Sequence, residues 1–501
     1  MSKVQNPLTI EIDRHEASPI YLQIGERFKA AIAAGHLKPG DRVPALRGLA
    51  TQLNTARGTV EMAYNMLVDE GYLQMRGAAG TFVSSSLPGA VTTPAARKTR
   101  ERANAPRLRR PEPAADIGND VKPLRPGLPA LDAFPRKVWS RLVSARAKSG
   151  DLATLTYPDP SGYRPLRERI ATYLGLSRGV ECVPEQVFVT NGYRASLELI
   201  LRSFAKPDDR AWFEEPGYLL ARAFLADANM RLVPVPVDHE GLDVDAGIAH
   251  CHDARFAFVT PSHQSPLGVT LSLARRMKLL DWASRAGSWI VEDDYDSEFR
   301  YVGRPLPALK SLDRDDRVIY CGTFSKVLFP GLRLSYVVAP ERAAARFEQL
   351  TKNMNAGSPH LYQAAVADFI AQGHFARHLK RMRALYAERR MLLANAIREA
   401  FGDKVSIDLP NGGMHLVAIF NAGRDGPIDD MAMAARAREA GLAVIALSAW
   451  YLNARAKHAL RGIVAGFANV ADADEAARLA HMLRRAYDGQ SVTASSDANS
   501  A

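Results

Sequence analysis

The stretch GTFSKVLFPGLRLSY, Gly322–Tyr336, sets a lysine in unusual company. Lys326 follows Phe324 and Ser325 and precedes Val327, Leu328 and Phe329, with Arg333 beyond a Pro-Gly turn. Lysine is strongly hydrated and rarely buried without a partner. A lysine desolvated among such neighbours loses its proton readily and can form a Schiff base with an aldehyde. The same stretch reads as the end of one apolar strand and the start of another, so it bears on the fold as well as on the chemistry.

Outward from it, short apolar runs alternate with helical patterns. EQVFVTNG, RAWFEEPGY, RLVPVPVD, RFAFVTPS, SWIVEDDYD, RVIYCGTFSK and RLSYVVAP have apolar residues at consecutive positions, as strands covered on both faces do. Helical stretches such as RASLELILRSFA and LARRMKLLDWASRAG lie between them, which predicts an α/β domain around a mostly parallel sheet. KVSIDLPNGGMHLVAIF, GLAVIAL and ALRGIVAGFAN then predict the strands of a smaller C-terminal α+β domain, from about residue 375 to 488.

Ligands of such sheets sit beyond the carboxyl ends of the strands, and unusual residues gather there. In VTNGYRASLELI the backbone N–H groups of Gly192, Tyr193 and Arg194 open a helix, where an anion is favoured. WIVEDDYDSEF ends an apolar strand in Asp293, Asp294 and Tyr295; carboxylates at a buried strand end need a cation or donor. With Thr323, Ser325, Lys326 and Arg333, these groups meet the needs of pyridoxal 5′-phosphate. A lysine takes the aldehyde, an aspartate holds the pyridine nitrogen protonated, a phenol meets the 3-oxygen, and hydroxyls, an arginine and a helix N-terminus take the phosphate.

The 501 residues are enough for several domains. Hydrophobic residues make up 47% and charged residues 24%, as in an ordinary globular protein. Cys182, Cys251 and Cys321 are scattered, with the spacing of neither a disulfide framework nor a metal site, which fits a reducing cytoplasm. No apolar run reaches membrane-spanning length, and the N-terminus lacks the apolar core of a signal peptide. The net charge of +11 points to a polyanionic partner if it is localised.

Residues 84–118 are rich in Pro, Ala and Arg, and between Arg97 and Arg110 carry seven basic residues and one acidic residue. They read as a linker, either a solvated spacer or a source of added phosphate contacts. Residues 489–501 read as a disordered tail. Before the linker, residues 1–83 hold three helical patterns and a hairpin. Ile20, Ile24, Phe28 and Ile32 mark the first helix, Leu46, Leu49, Ala50 and Leu53 the second, and Val60, Ala63, Tyr64, Leu67 and Val68 the third. YLQMRGAAGTFVS then reads as two strands about a glycine-rich turn. This is the pattern of a winged helix-turn-helix whose reading helix runs from about Ala56 to Asp69. Arg57 and Thr59 stand at its N-terminal end, Arg47 closes the preceding helix and Arg76 sits on the wing.

The run from Pro19 to Val83 resembles the DNA-binding domain of the GntR family, departing at Ala45, where Ser is usual, and at NTARG, where GVSRN is typical. Residues 119–488 resemble fold-type I aminotransferases, and the joined chain resembles the MocR/GabR-type regulators. The resemblance implies that Lys326 is the Schiff-base lysine, Asp293 the pyridine partner, Tyr295 the 3-oxygen partner, and Thr323, Ser325 and Arg333 phosphate ligands. By the same match Tyr218 of EEPGY stacks on the ring and His263 and Gln264 of PSHQSPLG lie near the cofactor. Ser265 and Leu267 there replace Phe and Thr. Tyr157 matches a tyrosine that reaches the neighbouring subunit's phosphate, implying a homodimer. Arg461 of RGIVAGF matches the arginine that grips a substrate carboxylate; Arg222 is a candidate second anchor.

Two functions follow from this reading. One is a cytoplasmic, dimeric transcription regulator that senses an amino compound, or pyridoxal phosphate itself, and binds double-stranded DNA at repeated half-sites. The alternative is a working aminotransferase that carries a DNA-binding module. A lyase or decarboxylase on the same fold has no residue pattern to specify it. The basic stripe in HFARHLKRMRALYAERR reads as a solvated helix face rather than a second DNA site.

Overall fold

Ile24 and Phe28, one helical turn apart, are fully buried and draw helix α1 (Ile20–Ala33) onto α3 (Arg57–Asp69). Gly35 ends α1 with φ of 73°, in the left-handed region that glycine enters freely. Helix α2 (Leu46–Gln52) lies between them and contributes Leu49 to the same core. Phe28 meets Tyr64 edge-on at 5.4 Å between ring centres, and the Tyr64 hydroxyl donates to the Pro44 carbonyl at 2.9 Å. Strands β1 (Leu73–Met75) and β2 (Thr81–Val83) form the antiparallel wing. The reading helix begins one residue later than expected, with Ala56 as its N-cap, and Arg47 stands in the first turn of α2 rather than closing it.

The structure is a computed structural model. It describes residues 12–85 and 121–489, apart from 15, 17, 153–154, 302, 304–306, 355–356, 410, 422–427 and 454–458. Most of the linker and nearly all of the tail lie outside the described residues. The chain divides into two compact units, one holding α1–α3 with the wing and the other everything that follows.

The second unit runs α4 (Arg136–Lys148), α5 (Arg164–Arg178), β3 (Val187–Thr190), α6 (Tyr193–Phe204), β4 (Arg210–Glu215), α7 (Leu219–Asp227), β5 (Arg231–Asp238), β6 (Gly241–Leu242) and α8 (Val244–Cys251). It continues with β7 (Phe256–Val259), α9 (Leu273–Ala286), β8 (Trp289–Asp294), β9 (Val318–Thr323), a short α10 (Phe324–Val327) and β10 (Ser335–Val338). All seven strands read from the sequence are present. They form an eight-stranded sheet in the order β3-β10-β9-β8-β7-β4-β5-β6. From β9 to β5 neighbouring strands are parallel, whereas β10 is antiparallel to both its neighbours and β6 folds back on β5.

Consecutive residues of one strand divide between two cores. Phe213, Phe258, Val291 and Ile319 face one side of the sheet, while Trp212, Ala257, Ile290 and Val318 face the other. Helices cover both faces, which is why the strands read as continuous apolar runs. Two of these helices have clear punctuation. Ser272 caps α9 by accepting from the Arg275 N–H, and Gly287 ends it; Gly179 ends α5.

Helices α11 (Ala344–Asn353) and α12 (His360–Ala371) lead to the long α13 (His374–Phe401). The smaller domain adds β11 (Val405–Asp408), β12 (His415–Phe420), α14 (Asp430–Glu439), β13 (Ile445–Ala446), β14 (Gly462–Gly466) and α15 (Ala473–Tyr487). Its four-stranded antiparallel sheet has the order β11-β12-β14-β13. No described helix is long and apolar enough to cross a membrane.

Candidate cofactor site and DNA-binding surface

Register brings the candidate residues together. Ser335 at the start of β10 lies opposite both Thr190, the last residue of β3, and Thr323, the last residue of β9. Because β10 is antiparallel, its N-terminal end shares an edge with the carboxyl ends of β3 and β9. Arg333 just before β10, Gly192–Arg194 just after β3, and Ser325 and Lys326 just after β9 therefore converge. Gly192 has φ of 90°, and a Cβ built on it would stand 3.0 Å from Arg333 Nη2. Arg333 donates to the Asn191 carbonyl at 3.4 Å, which holds its guanidinium over the N-terminus of α6. Thr323 Oγ1 accepts from the Ser325 N–H at 3.1 Å and the Ser335 hydroxyl at 2.8 Å. Arg194 contributes only its backbone here; its side chain lies over the Phe224 ring at 5.2 Å.

Lys326 donates from Nζ to the Gly127 carbonyl at 2.8 Å. Gly127 has no side chain for a reason: a Cβ there would lie 2.5 Å from that nitrogen. Burial lowers the Lys326 ammonium below its ordinary value, with Asp296 and Asp293 opposing. Asp293 is buried at the end of β8 and is hydrogen-bonded by Tyr193. The Tyr193 and Tyr218 rings lie 6.2 Å apart, and Tyr218 extends to Trp450 at 6.3 Å.

Burial pushes the Asp293 carboxyl up to about 8, with Asp294 and Glu214 adding and the Tyr193 hydrogen bond and Lys326 opposing. Glu214 is pushed up to about 7 by burial, against hydrogen bonds from Thr260 and Gln264. A carboxyl raised in this way keeps its proton in the fold. Its contribution to stability is complete below the unfolded value near 4 and is lost as pH rises through the folded value. The cofactor-free protein is therefore expected to lose stability between about pH 4 and 8, by at most about 1.4 kcal/mol per pH unit for each such group. Urea unfolding across that range checks this, and Asp293→Asn should flatten the upper part of the slope while leaving the part due to Glu214.

Behind these groups the two aspartates of β8 part company. Asp294 meets Arg178 at 2.8 Å, and both side chains are buried. Tyr295 and His263 lie together, with Tyr295 Oη 3.1 Å from His263 Nδ1. The Gln264 amide nitrogen is spent on Glu214 at 3.2 Å and the Pro216 and Ser265 carbonyls at 2.8 and 2.9 Å, so Gln264 shapes its loop. Arg222 is likewise spent, donating to the Tyr451 and Ala449 carbonyls at 2.5 and 3.0 Å. With the Leu452 N–H on the Glu215 carboxylate, it straps the small domain to the β4–α7 turn. Arg461 stands 3.6 Å from the fully buried Asp430. Tyr157 is 93% exposed.

In the first unit Arg47, Arg57 and Arg76 are exposed and Thr59 half-buried. Arg57 opens the reading helix, and Arg76 lies over the Phe82 ring at 5.0 Å on the wing. Sequence reasoning passed over Arg42, whose guanidinium packs against Gly80, so the wing carries two cations. It also passed over Met62 and Asn65, exposed on the outer face of α3. Their places at one and two helical turns from Gly58 were available from periodicity alone.

A winged helix joined to a lysine-bearing, aminotransferase-like α/β fold defines a DNA-binding regulator built on an aminotransferase scaffold. Residues 135–472 match the aminotransferase class I and II family and residues 20–83 the bacterial regulatory proteins of the gntR family. The chain belongs to the MocR-type transcriptional regulators. It is 42% identical to the probable rhizopine catabolism regulatory protein MocR of Rhizobium meliloti, over 82% of this chain and 83% of that one. It is 33% identical to the pyridoxine biosynthesis transcriptional regulator PdxR of Corynebacterium glutamicum, over 92% and 94%. Among solved structures, the kynurenine aminotransferase of Pyrococcus horikoshii in complex with PMP aligns with a TM-score of 0.66 and 27% identity, over 74% of this chain and 91% of that one.

Proposed function

We propose that this regulator binds pyridoxal 5′-phosphate at Lys326 and responds to a small amino compound by changing how a homodimer holds repeated half-sites on double-stranded DNA. The observation that carries the reading is the half-buried Lys326, within electrostatic reach of Asp293 and on the same sheet edge as the Gly192–Arg333 cradle, in a chain that also bears a reading helix. The donor set fits the cofactor. Asp293 would hold a proton at the pyridine nitrogen, Tyr295 would donate to the 3-oxygen, and Tyr218 would cover the ring. Thr323, Ser325, Arg333 and the N–H groups of Gly192, Tyr193 and Arg194 would take the phosphate, with Tyr157 supplied by the second subunit. Bound there, pyridoxal phosphate supplies an aldehyde carbon that exchanges amines and a ring that withdraws electrons. Arg461 is the group we assign to an effector carboxylate, its guanidinium steadied by Asp430.

An effector shifts DNA binding only through a difference in its affinity for two states of the dimer. The strap from Arg222 and Glu215 to residues 449–452 is the contact such a change would remake. The setting is the cytoplasm, where DNA and amino metabolites are both available.

The test is an absorbance spectrum of the purified protein during titration with a panel of amino acids and amines. A visible band that shifts with one compound and stays shifted supports the sensor. Bleaching that a keto acid reverses through many cycles makes the protein a working aminotransferase instead, and no band even with added pyridoxal phosphate defeats the cofactor reading. DNA binding is tested separately on duplexes selected by the protein from a random library. Arg57→Ala is expected to weaken binding by about tenfold to a hundredfold, the range for one base or phosphate contact, while leaving the visible band unchanged. Wild-type binding should also fall steeply with salt.

A further inference from the structure

Two neighbours, Asp296 and Tyr295, bear on where His263 carries its proton. Nδ1 lies 3.0 and 3.2 Å from the two carboxylate oxygens of Asp296, which is 1% exposed, and 3.1 Å from Tyr295 Oη. One ring nitrogen cannot give its proton to Asp296 and also accept the phenol's proton. Nε2 has no protein partner, and the ring lines a cavity of about 20 Å³ shared with Ser297 and Arg300, with room for about one water. The ring is clamped from the small domain: a Cβ on Gly413 would lie 2.0 Å from His263 Cε1. Tyr301 donates its hydroxyl to the Gly413 carbonyl, and the Gly413 N–H donates to Phe299 at 2.9 Å.

We infer that His263 is a positioning residue: Asp296 keeps the proton on His263 Nδ1, which denies Tyr295 an acceptor there and turns the phenol's proton toward the cofactor's 3-oxygen. Ser265 also lies within hydrogen-bond reach of Tyr295, and its hydroxyl can donate to the phenol oxygen. The remaining groups around the couple do not compete for it. His415, 5.6 Å away across β12, is held neutral by burial, down at about 4, and its Nε2 is committed to the Pro266 carbonyl at 2.8 Å. Arg178 is engaged by Asp294, Glu214 by Thr260 and Gln264, and Asp293 by Tyr193.

This rests on the cofactor reading, and one measurement separates the two. A hydrogen bond donated to the 3-oxygen favours the deprotonated form of the Lys326-linked cofactor, so its loss raises the pH midpoint of the visible absorbance change. His263→Phe keeps a ring, removes the Nδ1 donor and leaves Asp296 to attract the phenol's proton. The midpoint should rise by about one pH unit, the usual size of a single hydrogen-bond effect on a buried group. His263→Asn retains an N–H directed at Asp296 and should titrate near wild type. In a Tyr295→Phe background, His263→Phe should add little further shift. Gly413→Ala, which must displace the ring, should shift the midpoint in the same direction and provides the readout if His263→Phe does not hold the cofactor. An unchanged midpoint in His263→Phe, an equal shift in His263→Asn, or full additivity with Tyr295→Phe overturns the inference. Absence of any band in wild type removes the cofactor reading and this inference with it.

Discussion

Lys326→Ala is expected to abolish the visible absorbance of the protein incubated with pyridoxal phosphate, completely rather than partially, while leaving binding to selected DNA within about twofold. The first half follows from chemistry. The band belongs to a link between Nζ and the cofactor's aldehyde carbon, and Lys326 is the lysine whose charge bears on Asp293. The buried Lys310 is engaged elsewhere, donating to the carbonyl of Val318 at 2.8 Å, at the start of β9 rather than at its carboxyl end. Burial lowers the Lys326 ammonium from its ordinary value, which favours the neutral amine that attacks an aldehyde. Alanine also removes the donor to the Gly127 carbonyl, a loss of about 1 kcal/mol that the rest of the domain can absorb. The second half follows from the division of the chain into two units, with Arg57, Arg47 and Arg76 all in the first. Borohydride trapping and peptide mass analysis give an independent check. The added mass should sit on the peptide containing Lys326 in wild type and on no peptide in the variant. A band retained by Lys326→Ala would show the lysine to be misassigned.

The strands were legible because both faces of the sheet are covered. Trp212 and Phe213, or Ile290 and Val291, pack into different cores, and a run that is apolar at every position can satisfy both. The helices of the first unit were legible because one face of each is apolar at the helical period. The order of the strands was not, since nothing in a local run states that β10 inserts between β3 and β9. That insertion carries Arg333 to Gly192. Lys326 and Asp293 could be singled out because each breaks an apolar context. Arg178, Gly127 and Glu214 could not: each does its work through a partner distant in sequence, and each has an ordinary neighbourhood of its own. The pair Asp293 and Asp294 lies between these cases. Successive residues of a strand point to opposite faces, so the two had to part. Asp293 follows Val291 toward Tyr193, and Asp294 follows Ile290 toward Arg178. Which face carries the proposed cofactor site required α6, and α6 is placed by the register of β3.

That parting underlies the second large effect. Arg178→Ala is expected to destabilise the second unit by about 3–5 kcal/mol, the range for stranding one member of a buried ion pair. Arg178 donates from Nε to Asp294 at 2.8 Å and from Nη2 to the Ser262 hydroxyl at 2.7 Å, and Tyr320 donates to the same Asp294 oxygen at 2.7 Å. The side chains of Arg178 and Asp294 are 4% and 1% exposed, so water cannot replace the guanidinium. The loss should register cleanly, because all five tryptophans, at 139, 212, 282, 289 and 450, lie in the second unit, and their fluorescence in urea reports that unit alone. The pair itself is a poor source of net stability, since both charges lose their hydration. Replacing both, as Arg178→Met with Asp294→Leu, should therefore cost clearly less than Arg178→Ala alone. If the double variant is as unstable as the single one, the cost lies in the lost bonds to Ser262 and Tyr320 and not in a stranded carboxylate. Cofactor binding discriminates further. Asp293 and Asp294 share one strand end, so a carboxylate left unpaired at 294 pulls the end of β8 toward other donors and moves Asp293 with it. Arg178→Ala should thus also weaken pyridoxal phosphate binding, and the stabilisation gained from saturating cofactor, which grows with the logarithm of concentration over Kd, should be smaller in the variant than in wild type. An equal gain in both would confine Arg178 to the fold and detach it from the site.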